Sequence, residues 1–455
     1  MGTRRAACVL GISIWAACVS AQKSSITKAI DSYIEPYVAS SNFSGVVLVE
    51  KNGKVLHHKA YGFADREKQV RNTTSTLFHI ASVSMQFTSA AILKLVDSGR
   101  IGLDDPIRQF ASDVTGAGRI TVRDLLTERS GLPDINELPD YNEVLQQHQT
   151  PTSLVARING RALLFEPGSK FLHEEHSAYN LLALIVEKKT GLPFADAAHR
   201  LVFQPLSLNA TFIDDDTSRP GRAVAKSYQP LGVRELEPAP RILWSAKTGN
   251  GSAVTTAEDE ARWIRALFRG NALKPATRNV VLGVSPRIGY GWFRGQSKRF
   301  NRIAYYMNGR APGFASFVLY IPREELTVIA FSNIYSSATT DIGNDIASIA
   351  LGLPFTPFHP GNQPLSPDIM ANSTGHFQFG PDFYQKNARL ALIAKGSELF
   401  LRWPSGEGVS PLIPIGPDEF VDRAYWERVK IERDSSGHVS RLAYDNFYGA
   451  PVNEN

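Results

Sequence analysis

The chain predicts a mixed α and β fold, an antiparallel sheet with helices packed on it, followed by a small β-rich unit. Three observations carry this. Apolar residues recur at helical spacing in several separate segments of the first 350 residues. The period then drops to two between Tyr290 and Phe331. Finally, Pro354, Pro357, Pro360, Pro364 and Pro367 interrupt the chain before a tail of short alternating segments.

Taken in order, Ser44 to Glu50 is a strand, and Asn52-Gly53 is a hairpin signal because both central positions of a type I′ turn need positive φ. Lys54 to Tyr61 returns as its partner. Met85 to Ser98 is a helix, with Phe87, Ala91, Ile92, Leu95 and Val96 on one face and Gly99 to close it. Ser177 to Thr190 is a second helix, stopped by Gly191. Thr256 caps a third, from Ala257 to Phe268. Tyr290 to Arg294, Ile303 to Met307, Phe314 to Ile321 and Leu326 to Phe331 follow as strands with turn residues between them. Asp341 to Leu351 is a last helix. The proline density of residues 353–367 disfavours both helix and sheet, which predicts a linker. Beyond it, Arg389 to Ala394, Glu398 to Trp403, Val429 to Glu432 and Val439 to Tyr444 alternate like short strands. The expected organisation is a segment of 21 residues to be removed, a main domain over 22–352, the linker, and a β-rich appendage over 368–455.

The composition is that of a globular protein: 43% apolar, 20% charged, formal net charge +5. The excess charge is spread along the chain and no basic block is present, which argues against nucleic acid as a partner. Arg4 and Arg5 precede an apolar run from Ala6 to Val19, and Val19-Ser20-Ala21 offers small residues for cleavage. This is the pattern of a secretory signal peptide, and it predicts a secreted or periplasmic protein. The run is short for a membrane span, and no later stretch is apolar enough to form a stable one. Both cysteines, Cys8 and Cys18, lie within it, so the mature chain would hold no disulfide and no thiol.

The stretch Phe78-His-Ile-Ala-Ser-Val-Ser-Met-Gln-Phe-Thr-Ser-Ala-Ala-Ile92, continuing through Leu95 to Pro106, resembles the active-site helix of the β-lactamase-related serine hydrolases, the class C β-lactamases and penicillin-binding DD-peptidases. Ile120 to Asp134, Glu166-Pro-Gly168, Pro205-Leu206, Gly289-Tyr-Gly-Trp-Phe293, Pro312-Gly-Phe314 and Phe331-Ser-Asn333 follow in family order. Together they cover about residues 25 to 352. One such motif is weak evidence, but this many in order implies the family's fold. The resemblance also implies a domain with no cofactor and a cleft that takes a peptide- or acyl-type small ligand.

The family's chemistry uses three polar clusters, and the resemblance locates each in this chain. The first is S-x-x-K, a serine nucleophile with a lysine one helical turn later. Here it reads Ser82-Val-Ser-Met85: the nucleophile position is kept and the lysine position is Met85. A thioether neither accepts the serine proton nor supplies charge. The second is Y-x-N. Counted from Pro167-Gly168, His173 takes the tyrosine place and Glu175 the asparagine place, with one residue more than the family spacing before the helix. The third is a strand with K-T-G or H-x-G, here Met307-Asn308-Gly309, followed by Arg310, whose backbone amide takes the oxyanion-donor position.

A serine alcohol is a poor nucleophile unless a neighbouring base takes its proton. Losing one general base costs about 10²–10⁴ in rate; a triad acts as a unit worth roughly 10⁶. The backbone amides at Ser82 and Arg310 do not depend on side-chain identity and can still form an oxyanion hole. The favoured expectation is therefore a catalytically impaired or inactive relative. The alternative is an active esterase, amidase or DD-peptidase in which His173, oriented by Glu174 or Glu175, serves Ser82 as base, as in Ser-His-acid triads. A metal-dependent enzyme on His173-Glu-Glu-His176 is a third, weaker reading, because the two histidines are not spaced as in H-E-x-x-H and no cysteine or other histidine cluster supplies ligands. Glu128 is expected as a surface or pocket-rim charge. Tyr290, Trp292, Tyr305 and Tyr306 are expected as strand packing rather than a sugar platform.

Overall fold

The computed structural model describes residues 25–173, 175–217, 221, 223–283, 288–361, 370, 372–404 and 409–453. The expected signal peptide, Glu174, and the linker prolines Pro364 and Pro367 lie outside these residues.

The main domain is built on a seven-stranded antiparallel sheet. Its strands in chain order are β1 (Gly45–Lys51), β2 (Lys54–Tyr61), β3 (Ile288–Gly289), β4 (Trp292–Ser297), β5 (Arg302–Ala311), β6 (Phe314–Ile321) and β7 (Leu326–Ser332), laid side by side as β3-β4-β5-β6-β7-β1-β2. The β1–β2 hairpin turns on Asn52 and Gly53 at φ 50° and 70°, the positive values the sequence required there. Period-two alternation splits β1 between two cores. Val46 and Leu48 enter one cluster, Val47 and Val49 the other, so the whole strand is apolar and the sheet is covered on both faces.

The first face carries α2 (Met85–Asp97), α3 (His176–Thr190) and α4 (Ala257–Phe268). The second carries α1, over residues 25–39, and α5 (Ala338–Leu351). The helix ends follow the sequence signals. Thr256 accepts the Asp259 amide to cap α4, and Gly191 ends α3 with φ 71°. Where boundaries differ from the sequence pattern, local backbone explains it: Tyr290, at φ 59°, sits in the turn before β4 instead of in the strand.

The appendage is a closed barrel of eight antiparallel strands running from Gly375–Gln378 to Phe447–Val452, and these two strands pair to complete the ring. Its interior is filled by Phe377, Leu390, Leu401, Trp403, Phe420 and Tyr444 among others, as befits a barrel of this size. The stretch 353–361 has no regular structure, but it does not behave as a free spacer. Phe358 packs against Tyr37 of α1 and, edge-on, against Trp426 of the barrel, with ring centroids 4.9 and 5.0 Å away. Among the described residues, no helix is long and apolar enough to cross a membrane.

Candidate active site

Ser82 lies on a one-turn helix, Ala81–Ser84, that runs directly into α2. Ala81 is held at φ 48°, a conformation that costs an L-residue energy and persists only when its surroundings impose it. Two contacts impose it here. Ser84 Oγ accepts the Ala253 amide at 3.0 Å, and Ser316 Oγ of β6 donates to the Ile80 carbonyl at 2.6 Å. Ser82 itself is 7% exposed, and its hydroxyl makes no hydrogen bond to any described residue.

Strand β5 passes directly beside this turn. A Cβ built on Gly309 would stand 2.6 Å from the Ile80 carbonyl oxygen and 2.7 Å from the Ser82 nitrogen, so only glycine allows the two backbones to meet. The alternation of β5 decides what else faces the turn. Met307 and Ala311 belong to the core cluster that holds Val83 and Met85, and Gly309 shares their face. Asn308 and Arg310 point to the other face, paired across the sheet with Phe317 and Ala315. Asn308 therefore does not join Met307 and Gly309, although the three are consecutive. Met85 and Met307 are 0% and 2% exposed. The two positions where a cation would be expected are thus filled by thioethers sealed in one apolar cluster.

The loop before α3 differs from the sequence expectation. His173 is exposed on a turn, its ring edge-on to Phe293 at 5.3 Å, and it makes no hydrogen bond to Ser82 or to Glu175. A Ser82–His173 pair is not formed. The physical reason is that the Ser130 and Gly131 donors draw Glu175 inward at the helix start and leave His173 on the exposed turn before it. Glu175 turns inward instead and is fully buried. It accepts from the Ser130 amide and hydroxyl at 3.2 and 2.9 Å and from the Gly131 amide at 2.9 Å. Burial pushes its carboxyl up to about 7, against the pull of those donors. Beside it, His176 Nδ1 lies 2.8 Å from Asp134 and 3.0 Å from the Asn136 amide nitrogen. Burial pushes the Asp134 carboxyl up, but the His176 ring and the Asn136 amide outweigh it and hold the carboxyl below its usual range. Ser177 Oγ ties the same helix start to Pro133 and Ile135.

Glu128, expected as a surface or pocket-rim charge, is 1% exposed. Its backbone takes φ 54°, and its charge adds to burial in raising the phenol of Tyr179. Trp292 and Tyr305 are strand packing and Tyr290 is buried in the turn before β4, each at most 5% exposed, while Tyr306 stacks outward on Phe293 at 5.1 Å. Among the described residues, no group of three or more histidine, cysteine or carboxylate side chains is arranged to hold a metal ion. A cavity of about 680 Å³ lies away from Ser82, between the barrel and the second helix layer, lined by Tyr37, Arg299, Asp341, Trp426 and Arg428 among others.

Two further groups escaped the sequence. His79 Nε2 lies 2.9 Å from Asp214 while its ring stacks on Trp244 at 3.6 Å, bracing the strand that leads into the Ser82 turn. Gln86, next to Met85, donates to Glu260 and accepts from the Trp263 indole, both at 2.7 Å. Partners 135 and more residues distant leave no local pattern to find.

The β-lactamase family model matches residues 30–351. Protein flp of Staphylococcus aureus strain MRSA252 is 26% identical over 323 residues, 68% of this chain and 63% of that protein; the chain thus matches less than two thirds of that relative's length. Penicillin-binding protein 4* of Bacillus subtilis strain 168 is 25% identical over 67% of this chain and 71% of its own. In fold, the chain is similar to the octameric penicillin-binding protein homologue from Pyrococcus abyssi, with TM-score 0.65 and 20% identity over 93% of this chain and 99% of that one.

Proposed function

This chain belongs to the β-lactamase family, and from that premise we propose that it is a catalytically impaired member, secreted by way of its N-terminal segment, that keeps a cleft for a peptide- or acyl-type ligand. One observation carries the proposal: Met85 and Met307 are buried together in the apolar cluster beside Ser82, where a proton acceptor and a cation would be needed. An alcohol with no base bonded to its hydroxyl attacks an acyl carbon slowly. What remains is the backbone: the Ser82 turn pressed against Gly309, with amides that polarise a bound carbonyl without transferring a proton. Such a site binds and orients an acyl group better than it cleaves one. The acyl-type ligand is supported by one relative, Penicillin-binding protein 4* of Bacillus subtilis, whose name states that it binds penicillin.

The test is covalent labelling. The purified protein is treated with a fluorophosphonate and, separately, with a fluorescent penicillin, beside a Ser82→Ala control. The proposal expects no labelling of either protein on a timescale of minutes. Rapid labelling that disappears in the Ser82→Ala variant would overturn it in favour of an active serine hydrolase.

A further inference from the structure

We propose that the C-terminal barrel braces the oxyanion edge of the cleft, with Arg310 as the positioning residue that connects them. Strand β5 needs such a brace. Its pairing with β4 ends at Tyr306, so from Met307 onward it has a sheet neighbour, β6, on one side only. The inward side of this half-free segment is fixed by the contact of Gly309 with the Ser82 turn. The outward side is fixed by the barrel.

The barrel loop after strand Glu419–Asp422 makes that contact residue by residue. Arg423 is fully buried; its guanidinium donates to Asn42 Oδ1 and the Ser41 carbonyl at 2.8 Å each, to the Glu235 carbonyl at 2.7 Å, and to that of Gly232. These bonds seat the loop on the main domain. The next carbonyl, of Ala424, accepts from Arg310 Nη1 at 2.9 Å and from the Ser337 amide at 2.9 Å. The Arg310 guanidinium is then held between two rings, 4.6 Å from Tyr335 of the main domain and 4.2 Å from Tyr425 of the barrel. A planar guanidinium packed against two aromatic rings and hydrogen-bonded at its edge has little freedom. The backbone amide of the same residue is the oxyanion donor position, so the barrel fixes that amide through its own side chain. The bearing on the cleft rests on the reading above, but the brace itself is a mechanical claim that can be tested without any turnover.

Hydrogen exchange on the full chain reads it. In Arg310→Ala and in Tyr425→Leu, amides of Met307 to Ala311 are expected to exchange at least about tenfold faster, with those of Val46 to Val49 unchanged. Tyr425→Phe, which keeps the ring, is expected to stay within about twofold of the parent. Unchanged exchange over Met307 to Ala311 in both Arg310→Ala and Tyr425→Leu would overturn the proposal. So would equal acceleration of Val46 to Val49, which would mark general loosening. Labelling at Ser82 would sink the impaired-enzyme reading and leave this result standing.

Discussion

The turn that carries Ser82 and the loop that starts α3 flank the same helices, yet they are made of opposite materials. Around Ser82 the apolar side chains are Val83, Met85 and Met307, and the shape is kept by the backbone contact with Gly309 and by two hydroxyls, Ser84 and Ser316, each bonded to backbone. At the start of α3, Ser130, Asp134, Asn136, Glu175, His176 and Ser177 form a buried net of hydrogen bonds. The polar groups have thus not left the domain; they stabilise a loop. Packing holds a shape whichever apolar atoms supply it, whereas a proton relay fails when one group is replaced.

The sharpest way to break this contrast is to put the missing cation back. Met85→Lys places an ammonium in an apolar cluster with no counter-charge on the Met307 side, so it should destabilise the fold by about 3–5 kcal/mol in urea unfolding. It should not restore hydrolysis of a chromogenic acyl ester, because the Met307 position is changed as well. Full recovery of turnover from that one substitution would show that a single lost group silenced the site.

On the other side, Glu175→Ala orphans three buried donors and should cost about 2–4 kcal/mol, read by the same unfolding midpoint. A cost below about 0.5 kcal/mol would mean the net is ornamental. Gly309→Ala tests the backbone contact. Its methyl group meets two backbone atoms that cannot rotate away, so about 1–3 kcal/mol is expected, as for other overpacked cores.

The remaining effect is one of pH. Burial pushes the Glu260 carboxyl up to about 8. The folded chain therefore holds a proton that the unfolded chain has released. The stability tied to this group is complete below the ordinary carboxylate range and falls as pH rises through about 8, by at most about 1.4 kcal/mol per pH unit. Glu260→Gln should flatten that slope in midpoints measured from pH 5 to 8; an unchanged slope would assign it elsewhere, with Glu175 the next candidate.

The parts legible in the sequence were those with local signals. The periodicity that marked α2, α3 and α4 is a property of neighbouring residues, and Ala257–Phe268 matches its helix end to end. The residues around Ser82 were legible because one helical turn joins Ser82 to Met85. The barrel was half legible. Its strand Val409–Gly416 contains Pro411 and Pro414 and has a register shift near Pro414, so its pattern does not look like a strand. The misplacement of His173 has the same origin as the hidden role of Glu175: a loop with an added residue has no period to count, and the partners that decide its path, Ser130 and Gly131, lie over 40 residues earlier.

The barrel's closure has a consequence for partnership. Because Gly375–Gln378 lies against Phe447–Val452, its ring of strands offers, among the described residues, no open row of amides and carbonyls for a visiting peptide to extend. A macromolecule that recognises this end of the protein must do so through loop tips and outward side chains, and its affinity will track their chemistry rather than the backbone.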